Sequence, residues 1–207
     1  MTIIDKLATS LNRKDEGPNQ ELAQYIADIE DREAVRELMD HLTNKDKDIQ
    51  SDCIKVLYEI GNRKPSLVAG YSKEFLTLLD HKNNRLVWGA MTALDAITLE
   101  SPEVIYAALD QIVDRMDKGS VITKDHGVNI LIKLCSVPSY ADHAFTLLIE
   151  QLKRCPTNQL PMYAENAISI VNDTNKAPFI HTLFSRLDDI DKDTKRKRVV
   201  KVIKRLS

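Results

Sequence analysis

Apolar residues recur in this chain with the spacing of one helical face, and the whole pattern repeats every 37 residues. Starting from "DIQSDCIKVLYEIG", Ile49 maps onto Leu86, Thr123 and Leu160, and Cys53 onto Ala90, Gly127 and Ala164. Val56 maps onto Ala93, Ile130 and Ala167, Leu57 onto Leu94, Leu131 and Ile168, and Ile60 onto Ile97, Leu134 and Val171. Within each copy the stripe falls at i, i+4, i+7, i+8 and i+11, which is one face of an α-helix. Glu165 is the clear break, standing where the other copies have Ile54, Met91 and Val128.

Asp46, Asn83, Ser120 and Thr157 precede the four stripes in the same register. These are preferred N-cap types, because their side-chain oxygens accept the orphan N–H groups of a helix start. A second helix follows in each copy, marked by Leu38, Phe75, Ile112 and Ile149, again 37 apart. Pro65 and Pro102 stand near the starts of two of these helices, where a missing N–H costs little; Ser101 is the expected cap before Pro102. The unit is a helical hairpin. Leu22, Tyr25, Ile26 and Ile29 extend it backward at a shift of 31, and Phe184 extends it forward at a shift of 35. That shorter step places a two-residue loss near "NDTNKAP".

A lone hairpin cannot bury its stripe, whereas stacked neighbours bury all of them as one core. The expected fold is all-α: an α-α superhelix, a right-handed solenoid of about five to six hairpins in a single domain, 1–207. The expected parts are an N-terminal capping helix at 1–15 (Ile3, Ile4, Leu7 and Leu11), repeats at 18–44, 46–81, 83–118, 120–155 and 157–190, and a basic capping helix at 192–207. In that last segment the 35-residue step aligns Val199, Val200, Val202, Ile203 and Leu206 with the stripe.

The order of polar cap, apolar residue, then small–large–x–small–Leu in "NNRLVWGAMTAL" resembles the first helix of HEAT repeats, in the HEAT/armadillo superfamily. The resemblance covers residues 18–207. It implies first helices on a convex side and second helices on a concave side. The Arg common after the first apolar residue is replaced here by Gln50, Val87, Lys124 and Pro161, so the family's Asp–Arg ladder is not expected.

Composition supports helices and narrows the function. Gly is scarce at 6 residues and charged residues make up 29%, a mix that helices tolerate well. Residues 192–207 hold eight Lys and Arg against one acid, leaving 21 bases and 30 acids elsewhere. An acidic body with a basic end differs from nucleic-acid-binding domains, which are basic along a whole face. The N-terminus lacks the apolar core of a signal peptide, and no run is long enough to span a membrane. Three scattered cysteines, Cys53, Cys135 and Cys155, argue for a reducing compartment. The expected location is cytoplasmic.

Enzyme signatures are absent. No Gly-rich phosphate loop is written. His41, His81, His126, His143 and His181 never pair at i, i+4 with a His or Cys, so metal spacing is missing. His41 and His81 suit helix ends, where a cationic ring complements the dipole. Cys53 reads as core; Cys155, beside Arg154, is the one thiol with a cation next to it. The acids at 188, 189, 191 and 193 lack the glycine and terminal Glu of a calcium loop. No catalytic residue, metal or cofactor is expected. Gly89 and Gly127 sit inside helices, where close helix approach is the expected compensation.

Two surfaces remain as candidate partner sites. Trp88, the only Trp, falls at about 200° on a helical wheel whose stripe centres near 40°, so it points away from its own stripe. It either packs on an adjacent element or anchors a partner. Lys197, Arg198, Lys201, Lys204 and Arg205 share an arc of about 120° opposite the tail stripe. The expected function is a non-catalytic protein–protein interaction module or scaffold. The alternative is nucleic-acid or anionic-surface binding through the basic helix. A further alternative follows from the similarity to alkylpurine DNA glycosylases built of HEAT-like repeats, with Trp88 and Asp95 seven residues apart on one outer face.

Overall fold

The computed structural model describes residues 2–207. Twelve α-helices are found among them: α1 (Gly17–Ile29), α2 (Arg32–Asp40), α3 (Lys47–Arg63), α4 (Ser72–Leu78), α5 (Asn84–Ile97), α6 (Pro102–Ala107), α7 (Leu109–Lys118), α8 (Val121–Cys135), α9 (Ala141–Arg154), α10 (Leu160–Asn166), α11 (Lys176–Ser185) and α12 (Asp193–Leu206). No strand occurs among the described residues. The chain divides into two compact units, 1–126 and 127–207, with the boundary inside α8.

In the first unit α3 packs between α1 and α5, with α2 against α3 and α4 against α5. The stripe explains this arrangement. Cys53, Val56, Leu57 and Ile60 of α3 and Leu86, Ala90, Ala93, Leu94 and Ile97 of α5 are fully buried. Asp46 Oδ1 accepts from the amides of Asp48 and Ile49, and Asn83 Oδ1 from that of Arg85, so both first helices start on their expected caps. Gln50 donates to the Asn44 carbonyl and accepts from Asn83 Nδ2, a neutral link between successive turns. Gly89 marks a close approach: a Cβ there would lie 2.6 Å from Ile54 Cγ1. Pro102 opens α6 as expected, but the Ser101 side chain makes no cap bond, and the second helix breaks at Ala108 into α6 and α7.

The N-terminal capping helix expected at 1–15 does not form. Residues Ile4–Lys6 make one 3-10 turn, and Leu7 turns extended. Three backbone amides are taken by distant side chains, and two of them, those of Ala8 and Thr9, are ones that a helix would use. Ile3 N donates to Glu37, Ala8 N to Asn19 Oδ1, and Thr9 N to Asp52 Oδ2. Asn19, 2% exposed, also donates to Asp52 Oδ1, so one buried polar lock pins the segment to α1 and α3. A charged acceptor makes such bonds stronger than a neutral helical one. Ile3 and Leu7 are buried, while Leu11 is exposed. Met1, also within that expected helix, lies outside the described residues.

In the second unit α9 and α10 pack together, α11 packs on α9, and α12 packs on α10 and α11. Thr157, expected as a cap, lies in a turn, and α10 begins at Leu160. Pro161 is the cause. A helix capped at Thr157 would need the residue 161 amide for its first bond, and proline has none. At its far end α10 tightens into a 3-10 turn, Ala167–Ile170. There the Asn172–Asn175 turn takes over: Asn175 Nδ2 donates to the Ile170 carbonyl, and Asn172 and Asn175 side chains accept local amides. This is the place of the two-residue loss. Ile168 and Val171 are only half-buried as a result.

Candidate functional site

Trp88 stands half-buried on α5. Its ring meets Tyr58 of α3 at a centroid distance of 5.8 Å and an interplanar angle of 53°. Tyr58 is supported in turn by Lys55, whose Nζ lies 5.0 Å from the ring centroid and 2.9 Å from both Glu16 Oε2 and Glu59 Oε1. Burial pulls the Lys55 ammonium down, but bonding to Tyr58, Glu16 and Glu59 outweighs it and holds the group above its usual value. Burial likewise opposes ionisation of Glu59, and Arg63 with Lys55 reverses that, so its carboxyl lies below the usual range. The result is a rigid, charged platform under an aromatic pair. Trp88 forms one wall of an open groove of about 720 Å³, with Ile54, Arg85, Lys55, Asp52 and Asp48 among its other linings. Both signs of charge face it.

The basic arc on α12 separates into two parts. Arg198 makes a bidentate pair with Glu165, Nε at 2.9 Å and Nη2 at 2.6 Å. That pairing explains why Glu165 breaks the apolar register: it faces Arg198 rather than the core. The Arg198 guanidinium holds the Glu165 carboxyl below its ordinary value. Lys197, Lys201, Lys204 and Arg205 are exposed and make no ion pair among the described residues. Lys197, Lys201 and Lys204 rim a groove around Val200. Arg196 is spent on Asp188. Of the tail stripe, Val199 and Val202 are buried, but Val200, Ile203 and Leu206 are half-open.

Other candidates for chemistry are occupied structurally. Asp95, placed by the sequence on an open face with Trp88, is 7% exposed, and its Oδ2 lies 2.7 Å from His126 Nδ1. His81 Nδ1 accepts from the Asn83 amide, so the ring is engaged in the turn before α5. Burial pushes the Cys53 thiol up to about 12, with Asp52 and Glu37 adding to it, and burial alone does the same for Cys135. Cys155 is also raised by burial, although Arg186 opposes the shift. None of the three carries the lowered pKa of a reactive thiol. No group of three or more His, Cys, Asp or Glu gathers in metal-binding fashion among the described residues, and no described helix is long and apolar enough to cross a membrane.

Sequence reasoning passed over Arg186. Its guanidinium donates to the carbonyls of Leu152, Lys153 and Cys155 while Nε holds Asp189. It thereby caps the C-terminus of α9, where cationic donors complement the helix dipole. No spacing rule announces such a cap, because its partners lie 31–34 residues away. Tyr58 was the other omission; it follows Leu57 in the stripe and belongs to the helix that α5 packs on.

No family model matches this chain, and no curated protein matches it in sequence. Solved structures do. A designed armadillo repeat protein in complex with the peptide (KR)4 matches with a TM-score of 0.63 at 14% identity, covering 99% of this chain and 98% of that one. Computationally designed armadillo repeat proteins for modular peptide recognition match with a TM-score of 0.63 at 15% identity, covering 99% and 98%. An engineered protein matches with a TM-score of 0.58 at 17% identity over 100% and 98%. At these identities the likeness is one of fold, and the fold is that of an armadillo/HEAT-like helical repeat protein.

Proposed function

We propose that this protein is a non-catalytic protein-binding scaffold, and that a polypeptide segment of mixed charge lies in the groove walled by Trp88. The observation that carries this reading is the half-open Trp88 braced on Tyr58. An aromatic side chain held rigid beside charges of both signs is the anchor that interface hot spots favour. The similar designed repeats, one in complex with a peptide and others made for peptide recognition, support it. The engaged Asp95 and the raised thiols favour binding over catalysis, and the free thiols fit a cytoplasmic setting. Because Trp88 is the only Trp, its fluorescence reports on the groove directly. Titration with a panel of mixed-charge peptides is expected to shift its emission, and Trp88→Ala to weaken the same peptides about 30-fold, a loss of ~2 kcal/mol. Unchanged affinity in Trp88→Ala would overturn the assignment.

A second reading, binding of nucleic acid or another anionic surface, is favoured by the unpaired Lys197, Lys201, Lys204 and Arg205. Such binding is steeply salt-dependent. Titration of short duplex and single-stranded DNA at low and moderate salt tests it, and absence of binding at low salt removes it. The glycosylase reading loses its support with Asp95 turned to His126.

A further inference from the structure

Helix α12 leaves open a face that α3 and α5 bury. The register equates Val200, Ile203 and Leu206 with Ile54, Leu57 and Ile60 of α3 and with Met91, Leu94 and Ile97 of α5. Those six are 0–1% exposed, whereas the three on α12 are half-open. In α3 part of the cover is the next first helix, which approaches so closely that Gly89 has no room for a side chain. Beside the open stripe, Phe184 of α11 is 66% exposed and shares a groove of about 550 Å³ with Ile180 and Leu206. Lys197, Lys201 and Lys204, with Arg196, outnumber Asp193 around the groove beside it and give it a positive rim.

Helix α1 has an equally open face, and the charges that the helix itself carries, Glu21 and Asp28, are acidic. Tyr25, Ile29 and Leu11 are 51%, 53% and 50% exposed. Tyr25 and Leu11 wall a groove of about 360 Å³ with Leu22 and Pro18. Asp5 and Glu21 line the same groove, and Asp28 stands about two turns beyond Glu21. Two bases are also there: Lys6 lies over the Tyr25 ring at 5.2 Å, and Arg13 is tied to Asp15. The two helices match in length, 13 residues for α1 and 14 for α12, each roughly 20 Å at 1.5 Å per residue.

We propose that copies of this chain associate head to tail, the α11–α12 face of one docking on the α1 face of the next, first helix against first helix as α3 lies on α5. Val200, Ile203, Leu206 and Phe184 then cover Tyr25, Ile29 and Leu11, and Lys197, Lys201 and Lys204 meet Asp5, Glu21 and Asp28. Open apolar patches with polar rims mark interaction sites. One contact accounts for both faces. A nucleic acid would use the lysines but not Phe184 or the half-open stripe, and it would leave the acidic apolar face on α1 unexplained. Because the two faces differ, the contact is heterologous and each copy carries one of each.

Sedimentation velocity tests this with three proteins, each first checked for native helicity. The unaltered chain is expected to associate increasingly from micromolar to sub-millimolar concentration. That association should weaken as salt is raised until the Debye length falls from roughly 10 to 3 Å. A tail variant, Phe184→Glu with Lys204→Glu, and a head variant, Tyr25→Lys with Glu21→Lys, should each lose association by at least about tenfold. Mixing the two variants should restore a dimer and nothing larger, since each retains the face the other lacks. An unaltered chain that stays monomeric throughout, or one that binds duplex DNA through α12 while monomeric, overturns the proposal. So does association that survives either variant, or a mixture that fails to form the dimer.

Discussion

Helices α3 and α10 hold equivalent places in the repeat, yet one runs unbroken for 17 residues and the other for 7 before tightening into a 3-10 turn. Their apolar stripes are written alike except at Glu165, where α3 has Ile54. The difference lies at the ends. Asp46 offers α3 a cap with two accepted amides. Pro161 denies α10 the bond that a cap at Thr157 requires, and the Asn172–Asn175 turn captures the Ile170 carbonyl. Apolar spacing therefore decides which face is buried, while local donors and acceptors decide how far the helix runs. The contrast bears on function. The regular helices α3 and α5 form the stiff platform under Trp88, and α10 gives up a stripe position, Glu165, to hold α12 through Arg198.

The largest expected effect separates two positions that the register treats as the same. Leu57→Ala removes a fully buried side chain and should cost about 2–5 kcal/mol in urea unfolding. Ile168→Ala, at a half-open site, should cost about 1 kcal/mol, since less apolar surface is re-exposed. Equal losses would show that the register, not the local helix end, sets burial.

Gly89→Ala sharpens the comparison from the α5 side. The added methyl gains about 1 kcal/mol of helix propensity, but it meets Ile54 Cγ1 at 2.6 Å, and overpacking costs about 1–3 kcal/mol. Net destabilisation is expected, and a double-mutant cycle with Ile54→Ala should show the two sites coupled. A stabilised Gly89→Ala would mean that α3 and α5 do not approach as described.

The caps give the smallest contrast. Asp46→Ala should lower stability by about 1 kcal/mol, whereas Thr157→Ala should stay within about 0.5 kcal/mol, because only the first residue caps a helix. Thermal melts of the two variants side by side measure the difference.

Periodicity in the sequence was enough to locate the buried stripes, because burial follows the helical period directly. The caps at Asp46 and Asn83 were legible for the same local reason. Thr157 has the residue type of a cap, but Pro161, four residues on, removes the donor that a helix starting there needs. The N-terminal segment misled more deeply. Ile3, Ile4, Leu7 and Leu11 do have helical spacing, but the acceptors that unmake the helix, Asn19 and Asp52, lie 11 and 43 residues from the amides they take. Competition of that kind is tertiary and leaves no mark on a local pattern. At the candidate site, Trp88 was legible as outward-pointing, whereas its support by Tyr58 depended on how α3 and α5 pack. The basic arc was legible as an arc, but not the assignment of Arg198 to Glu165.

The contrast between α3 and α10 is tested most directly by native-state hydrogen exchange resolved to single amides. Amides of residues 53–61 in α3 should exchange only through global unfolding, while those of residues 167–171 should exchange through local opening at a much lower free energy. Matching protection in the two stretches would contradict the account, since it would mean that the fourth stripe is held as firmly as the first.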